Sequence, residues 1–385
     1  MKAKHPTTIN TLPQTVIENI LCFLPIREAA RTSILSREWR YKWTTIPKLE
    51  FGSSTLSKGK NNEKLPYDIA SARKNMDESC KLVNAIHQVL LMRQGPIHEF
   101  TFNLIGTYNY FELDQIIFHL SRNHTVKKLT LAFDYISPYK LPLSAFSLHQ
   151  LTDLDLCYVN LDHQPIFSGF GSLRSLSLIE VKISTKAFLH LLSNCPSLKR
   201  FNLRGDIGSK DCTIIELFEC LPAIEHLTIW GICDHPWLVL DSIPEELPTT
   251  LIHLKYFRFN EICFIDDHGL TFLAVLIKCS PNLEKIELEI CIVDYYEICC
   301  GILEEYSDVR LEHLKELEIT CFRNLKHEME FVKFILARSP KLKKLILYSF
   351  VEKDEESDIL TILSQAPRAA PEEILVRCIP NWSYC

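Results

Sequence analysis

The chain has 385 residues, of which 47% are hydrophobic and 23% charged, and its formal net charge at pH 7 is -6. This length is enough for a large core or for two or three units, and the apolar content is that of a folded protein. A negative net charge gives no overall basic field for nucleic acid or for an anionic membrane surface, so we expect neither as a partner.

Cysteine usage and apolar run lengths indicate the compartment. The 15 cysteines are scattered through apolar segments, which predicts buried thiols in a reducing compartment rather than a disulfide framework. The longest apolar blocks, such as residues 270–277, are much shorter than the roughly 18 residues of a membrane span. Since no basic nuclear signal is evident, we expect the protein in the cytoplasm, the nucleus or both.

Residues 12–51 crowd their apolar side chains into three short blocks broken by Pro or Ser, which predicts three short helices. The first begins near Pro13 and ends at Pro25, and the third begins at the N-cap Ser36 and places Trp39 and Trp43 one turn apart. About 40 residues cannot bury this much large apolar surface internally, so the package is typical of a docking module completed by a partner.

The next two stretches lack the repeat that fills the rest of the chain. Residues 52–66 are rich in Gly, Ser, Lys and Asn and predict a flexible linker. Residues 67–94 carry apolar side chains at near-helical spacing and predict a helix that caps the N-terminal end of a repeat array. With such a cap, we expect the repeats to fold without residues 1–51.

A repeat of the form apolar-x-x-apolar-x-apolar occupies residues 95–310 and continues into 311–378. Its starts are spaced 22 to 31 residues apart, close to the leucine-rich-repeat period of about 20–29. The last four residues of each pattern alternate apolar with polar, as in a half-buried strand, and helix-period stretches follow. The ten starts are Ile97, Val126, Leu151, Leu173, Leu198, Ile224, Leu254, Leu283, Leu314 and Leu342.

Stacked strand–helix units of this kind predict an α/β fold, namely an irregular leucine-rich-repeat solenoid with a concave parallel sheet. The C-terminal end requires a cap as well. The acidic run 352–358 predicts a loop, residues 359–363 a helix and residues 373–376 a last strand.

Strand alternation also identifies the residues that point away from the core. In three consecutive units these positions are basic or aromatic, residue types that dominate interface energetics, and in the next two units they become mainly acidic. A plain solvated strand surface is an equally open interpretation. The candidate target-binding residues, which include Trp237 from a long insert at 234–250, are Arg200, Arg204, His226, Trp230, Tyr256, Arg258 and Trp237.

Motifs that carry chemistry were sought along the whole sequence. The sequence contains no Gly-rich phosphate loop, no His-Glu-x-x-His and no Gly-x-Ser-x-Gly elbow, and with only 11 glycines it has little material for phosphate cradles. We therefore expect no catalytic residues, no metal and no cofactor.

The opening package, residues 8–51, resembles an F-box of the form found in the large plant F-box/FBD/leucine-rich-repeat family. The resemblance is carried by Leu12-Pro13, Leu24-Pro25-Ile26, Leu35-Ser36, Trp39-Arg40 and the apolar residues between them. The C-terminal region from about Leu311, and particularly the segment ILSQAPRAAPEEILV at 362–376, resembles the FBD region that accompanies such F-boxes. The family more often has Ser where this chain has Ala370.

This resemblance implies a non-catalytic receptor subunit of a Skp–cullin–F-box ubiquitin ligase. The F-box would dock on a Skp-type adaptor, which joins a cullin, and the repeats would hold an unknown target protein for ubiquitination. The implied adaptor-binding residues are Leu12, Pro13, Val16, Ile17, Ile20, Leu21, Leu24, Pro25, Ile26, Ala30, Ile34, Leu35, Trp39 and Trp43.

Two alternatives stay open. The opening helices could be an ordinary cap folded onto the solenoid, against which the predicted linker argues, because a cap should be continuous with what it covers. The whole chain could instead be a leucine-rich-repeat scaffold or inhibitor without a ligase role. The solenoid could also bind a small ligand, although no residue of the sequence identifies a pocket for one.

Overall fold

The computed structural model divides into two compact units, Met1–Leu173 with Ile179–Lys182, and Arg174–Leu178 with Ile183–Cys385. We call them unit 1 and unit 2 and describe each by itself. The structure describes residues 9–52, 69–104, 111–123, 125–135, 138–161, 170–205, 212–230, 238–239, 251–262, 267–291, 310–349, 353–365 and 373–378.

Unit 1 begins with the small helical package. Helix α1 (Gln14–Leu21) follows Pro13 and helix α2 (Ile26–Arg31) follows Pro25, because the fixed φ of proline suits a helix start and the missing N–H is not needed there. Three short 3-10 helices accompany them, at Ile9–Thr11, Thr32–Ile34 and Lys42–Thr45. The core of the package consists of Ile17, Leu21, Ala29, Trp39, Trp43 and Ile46.

The predicted third α-helix is wrong. Ser36 is followed by turns and then by the 3-10 helix Lys42–Thr45, although the Ser36 hydroxyl does accept a hydrogen bond from the Trp39 amide at 3.4 Å. The tighter 3-10 path still brings Trp39 and Trp43 into the same core. The conformation of this segment is therefore determined by the burial of two tryptophans and not by helix propensity.

The package leads directly into the repeat sheet. Strand β1 (Lys48–Gly52) pairs in parallel with strand β2 (Glu99–Asn103), and the rings of Phe51 and Phe100 lie 5.8 Å apart. The chain is thus already part of the sheet before the predicted linker begins. Residues 53–66 of that linker lie outside the described residues.

Further contacts fix the package to helix α3 (Ile69–Met92) and to the turn after it. The Gln94 amide donates to the Thr44 carbonyl at 3.2 Å, the Arg93 guanidinium donates to the Ile46 carbonyl, and burial lowers the pKa of Arg93 to about 10. A Cβ on Gly95 would lie 3.1 Å from the backbone of Thr45, so a larger residue would crowd this contact. These contacts join the package to the first repeats, and the folding of the repeats without residues 1–51 stays a prediction.

The ten predicted repeats are confirmed as structural units. In each, a strand begins two residues after the first apolar residue of the pattern. Within each unit the strands of successive repeats lie side by side in chain order, and the strands of only two residues are not part of the repeat sheet. The pairings among the described strands are parallel and, apart from shifts at the ends of β12 (Tyr256–Ile262) and β14 (Glu316–Phe322), put equivalent residues of successive repeats opposite each other, as for Leu129 and Leu154.

The remaining strands and helices of the two units have the following bounds. In unit 1 they are β3 (Lys128–Ala132), β4 (Tyr139–Lys140), β5 (Asp153–Cys157), β6 (Val159–Asn160), helix α4 (Phe111–Asn123) and the 3-10 helix Leu143–Ser147. In unit 2 the strands are β7 (Ser175–Ile179), β8 (Arg200–Arg204), β9 (Cys212–Thr213), β10 (His226–Trp230), β11 (Leu238–Val239), β12 (Tyr256–Ile262), β13 (Lys285–Ile290), β14 (Glu316–Phe322), β15 (Lys344–Ser349) and β16 (Glu373–Cys378). Its helices are α5 (Thr185–Ser193), α6 (Ile214–Glu219), α7 (Asp267–Cys279), α8 (Lys326–Arg338) and α9 (Lys353–Gln365).

The core of unit 2 lies between one face of the strands and the helices. The ring of Phe272 on α7 lies 5.3 Å from Phe259 and 6.2 Å from Phe257 on β12, and 6.3 Å from Phe218 on α6. Strands such as β8 and β10 bury every second residue, so the alternate side chains point to the opposite face. This opposite face carries the residues predicted to bind a target.

A strained backbone position recurs four residues after the first strand leucine or phenylalanine. Tyr158, Glu180, Glu261 and Cys321 all have φ between 50° and 59° there. Register shifts accompany two of them, at the ends of β12 and β14. The repeats thus turn out of the sheet through a left-handed residue without using glycine at these four sites.

The C-terminal cap differs from expectation at one point. The acidic run 352–358, predicted as a loop, lies almost wholly within α9. Glu and Lys have high helix propensities, which explains why the charged run does not interrupt this helix. The predicted last strand is confirmed as β16, which pairs with β15.

Removing the Phe51 ring tests whether the opening package and the sheet form one folded body. Phe51 is 1% exposed, so Phe51→Ala should lower the free energy of unfolding by about 3–5 kcal/mol. Glu50→Ala, an exposed position on the same strand, should change it by about 1 kcal/mol or less. Urea unfolding of the full chain measures both. Equal effects of the two substitutions would show that β1 does not support the fold.

Candidate partner-binding surfaces

The predicted adaptor-binding residues separate into three groups by exposure. Ile17, Leu21, Trp39 and Trp43 are at most 5% exposed and form the core of the package, so they support the surface rather than contribute contacts. Leu12, Ile26 and Ala30 are half-buried against that core. The exposed group consists of Pro13, Val16, Ile20, Leu24, Pro25, Ile34 and Leu35.

The exposed apolar residues follow helix geometry. Val16, Ile20 and Leu24 are spaced by four residues along and just beyond α1, with exposures of 38%, 40% and 41%. Ile34 and Leu35, after α2, are 85% and 67% exposed. Large apolar side chains concentrated on a small module are unusual for a surface that faces only water.

Sequence reasoning missed Phe23, which is 90% exposed. It lies in the turn between α1 and α2, where helical periodicity gives no direction. The only sign of this exposure in the sequence was the residue type, because a phenylalanine next to the Leu24-Pro25 helix break has few helical neighbours that could cover it. Exposed Ile9 and Tyr41 were missed as well.

A mainly apolar groove of about 530 Å³ lies between the package and α3. Ile34 lines it and is also one of the exposed residues, so the groove continues the exposed apolar surface. Its lining residues from α3 include Leu82, Val89 and Met92. The surface available to a partner thus extends beyond the F-box-like segment itself.

The second candidate surface is the sheet face of unit 2 opposite the helices, which we call the outward face. Six of the seven predicted target-binding residues lie on β8, β10 and β12. His226 is paired between Arg200 and Tyr256, and Trp230 is paired with Asn260, in the equivalent positions that the repeat predicted. The seventh, Trp237, lies outside the described residues.

Aromatic and guanidinium groups stack in the middle of this face. The Arg204 guanidinium carbon lies 4.7 Å from the centre of the Trp230 ring, and that of Arg258 lies 5.9 Å from it. The rings of His226 and Tyr256 are 5.6 Å apart. Burial lowers the pKa of His226, so this imidazole is neutral at pH 7.

A shallow depression of about 430 Å³ opens at these residues. It is lined by hydroxyl, amide, aromatic and cationic groups from β7 to β12, and no carboxylate lines it. Asn260 differs from expectation. Strand alternation predicts that it points outward with Tyr256 and Arg258, but it is 1% exposed and its amide oxygen accepts a hydrogen bond from Arg258 Nε at 2.9 Å.

Glu287 on β13 connects the basic residues to the acidic ones. It accepts a hydrogen bond from the Tyr256 hydroxyl at 2.6 Å and lies 2.8 Å from Lys285 Nζ and 3.5 Å from Arg258 Nη1. Burial acts to raise the pKa of Glu287, but the hydrogen bonds from Lys285 and Tyr256 outweigh it and lower the pKa. Burial and the Glu287 bond raise the pKa of Tyr256 to about 12.

Cysteines add no site to either surface. Burial raises the pKa of the thiols of Cys212 and Cys279 to about 12 and 11, which makes them poor nucleophiles. Cys321 is buried and disulfide-bonded, which departs from the prediction of thiols throughout. Within the described ranges, no cluster of His, Cys, Asp or Glu is placed to hold a metal ion, and no helix is long and apolar enough to cross a membrane.

Comparison with known families matches three consecutive regions of the chain. Residues 9–51 match the F-box domain, residues 115–230 match the LRR repeats of FBD-associated F-box protein At5g56370, and residues 310–347 match FBD. The FBD match begins where the resemblance placed the start of the FBD region, near Leu311, and it ends before the segment 362–376.

Full-length similarity supports the same order of regions. The chain is 29% identical to F-box/FBD/LRR-repeat protein At1g13570 of Arabidopsis thaliana, over 97% of this chain and 99% of that protein. It is 25% identical to Arabidopsis FBD-associated F-box protein At5g56370, over 96% and 81% of the two chains. Among solved structures, an internalin (inlF) of Listeria monocytogenes aligns with 76% of this chain and 83% of its own at 15% identity and a TM-score of 0.33.

The pH dependence of stability should report the Tyr256–Glu287 hydrogen bond. An unfolded tyrosine loses its proton near pH 10, whereas the folded pKa is about 12, so between these values only the folded state keeps the proton and stability falls as pH rises. Tyr256→Phe should cost about 1 kcal/mol at pH 8. Urea unfolding from pH 8 to pH 11 should show this difference shrinking toward the alkaline end.

The control is Tyr135→Phe, which removes a hydroxyl from a side chain that is 67% exposed. This control measures the general effect on stability of removing one tyrosine hydroxyl. A difference between Tyr256→Phe and the parent chain that stays constant with pH would contradict the assignment of this bond.

Proposed function

The chain belongs to the F-box/FBD/leucine-rich-repeat proteins, and from this premise we propose that it is the substrate-recognition subunit of a Skp–cullin–F-box ubiquitin ligase. Its F-box docks on a Skp-type adaptor and through it on a cullin. Its repeats hold a target protein for ubiquitination. The observation that carries the proposal is the exposed apolar surface of the F-box, which has no reason to face water in a chain that works alone.

The surface for the adaptor consists of the exposed residues and not of the whole predicted set. Val16, Ile20, Phe23 and Leu24 come from α1 and the turn after it, and Ile34 leads into the groove next to α3. The buried tryptophans fix the relative positions of these helices. An adaptor helix laid on this surface removes their apolar side chains from water, at about 25 cal/mol per Å².

The role proposed for the repeats is to position a target. The outward face of unit 2 offers Trp230, Tyr256 and three arginines, the residue types that form most interface hot spots. Ubiquitin transfer takes place on a partner in this scheme. The contribution of this chain to the rate is proximity, since holding the target next to the charged enzyme turns an encounter between two molecules into a local step.

One observation favours the alternative of a scaffold without a ligase role. The F-box is joined to the sheet through β1, as expected for a terminal cap that covers the end of a repeat array. A cap, however, should bury its apolar residues on the array. Val16, Ile20, Phe23 and Leu24 remain 38% to 90% exposed, which supports the docking role.

Charges placed on the apolar face of α1 should abolish adaptor binding. The double substitution Val16→Asp and Ile20→Asp changes two exposed side chains, so the fold should persist while binding to a purified Skp-type adaptor falls about 30-fold or more. Isothermal titration calorimetry measures the affinity, and thermal unfolding checks the fold.

The matched control is Thr15→Asp with Asn19→Asp, which adds the same charges at exposed polar positions of the same helix. It should change adaptor affinity less than about threefold, because rim charges contribute little. Parent-level affinity in the Val16 and Ile20 variant would leave the F-box without a docking role and favour the scaffold.

Target binding should depend on the outward face. Trp230→Ala is expected to weaken binding of the target about 30-fold, or about 2 kcal/mol, without changing adaptor affinity. The target is first recovered by proximity labelling with the proteasome blocked. Its affinity for the parent chain and for Trp230→Ala is then measured. Lys186→Ala, an exposed change on α5, serves as the control. Unchanged affinity in Trp230→Ala would move the target site away from this face.

A further inference from the structure

The outward face of unit 2 is divided by charge. Strands β8, β10 and β12 carry Arg200, Arg204 and Arg258 and one acidic residue, Glu261 near the end of β12, a net charge of +2. On β13 and β14 the equivalent positions carry one lysine and four glutamates, a net charge of -3. The residues of this acidic half are Lys285, Glu287, Glu289, Glu316 and Glu318.

The border between the halves is internally neutralised. Glu287 contacts Arg258 and Lys285, and Lys285 also lies 3.2 Å from Glu316 and 3.8 Å from Glu318. One ammonium group is thus shared among three carboxylates, which leaves the acidic half with excess negative charge. At the other end, Arg204 lies over the face of Trp230, an arrangement that leaves the N–H edge of a guanidinium open to a carboxylate.

The distance between the basic end and the acidic end of the outward face follows from the spacing of the strands. β8 and β14 are four strand steps apart in the sheet order, and neighbouring strands lie about 4.8 Å apart, which gives about 19 Å. An extended peptide rises about 3.3 Å per residue, so this distance corresponds to about six residues. Between the ends, Trp230 and Tyr256 offer flat apolar surface beside the depression.

We propose that the outward face of unit 2 binds an extended segment of the target protein in which the centres of an acidic cluster and a basic cluster lie about six residues apart. The acidic cluster lies on the arginines of β8 and β12, the basic cluster lies on the glutamates of β13 and β14, and the residues between them cross Trp230 and Tyr256. Charge complementarity at both ends selects this occupant. A segment of uniform charge meets repulsion at one end, which excludes it. The inference rests on the proposed function, because it assigns the class of target that the receptor holds.

The test uses the full chain and two labelled peptides of identical composition. The block peptide is Glu-Glu-Gly-Ser-Trp-Gly-Lys-Lys, and the mixed peptide is Glu-Lys-Gly-Ser-Trp-Gly-Glu-Lys. Fluorescence anisotropy at low salt should show the block peptide binding about fivefold or more tightly, and high salt should remove the difference. Equal binding of both peptides, or no binding of either, overturns the proposal.

A charge-reversed variant tests the location. Arg200→Glu with Arg204→Glu makes both ends acidic, so the preference for the block peptide should disappear and Lys-Lys-Gly-Ser-Trp-Gly-Lys-Lys should become the best ligand. Lys186→Glu with Lys326→Glu makes the same change of net charge on helices and should keep the block preference. Loss of preference in this control, or its retention in the arginine variant, overturns the proposal.

Adaptor binding is measured on the same variants and should stay at the parent level. This measurement separates the two levels of inference. If the peptides are not distinguished but the adaptor binds, the receptor function stands and the target class is wrong. If the adaptor does not bind, the receptor function itself fails, whatever the peptides show.

Discussion

The pairing of β1 with β2 is the constraint on which the organisation of unit 1 depends. It places the last residues of the F-box in the repeat sheet, and the hydrogen bond from Gln94 to Thr44 holds the same junction from the other side. A flexible joint would let the docking module move freely relative to the first repeats. A shared sheet instead gives the module a fixed position on unit 1, which is what the proposed receptor function, based on proximity, requires.

Burial separates structural from exposed residues within the small package. Trp39 and Trp43 fill its centre. The outer side chains of α1 and of the turn after it therefore have no place in the core of the package. Forty residues have too little volume to cover both sides of two short helices. The exposed surface is therefore a direct consequence of the size of the module, and a partner removes the cost of leaving it in water.

The outward face of unit 2 shows how a parallel array turns sequence order into a surface pattern. Because the pairings at its outward positions join equivalent residues of successive repeats, a change of residue type from one repeat to the next becomes a gradient across strands about 4.8 Å apart. Glu287 is at the centre of that gradient. It holds Tyr256, Arg258 and Lys285 in one network, so the border between the basic and acidic halves is ordered.

The sequence by itself determined the repeats, the strand positions and the outward residues, because a period of two in a strand and a fixed repeat length are local properties that the parallel pairing preserves. Only the tertiary structure decided that β1 belongs to the sheet, that Ile17 and Leu21 are core while Val16 and Ile20 are surface, and that Asn260 is covered. The F-box stripe is apolar on more than one side, so periodicity could not choose its buried side. That choice depends on contacts with residues distant in sequence, such as the two tryptophans, and these form only when the chain is folded.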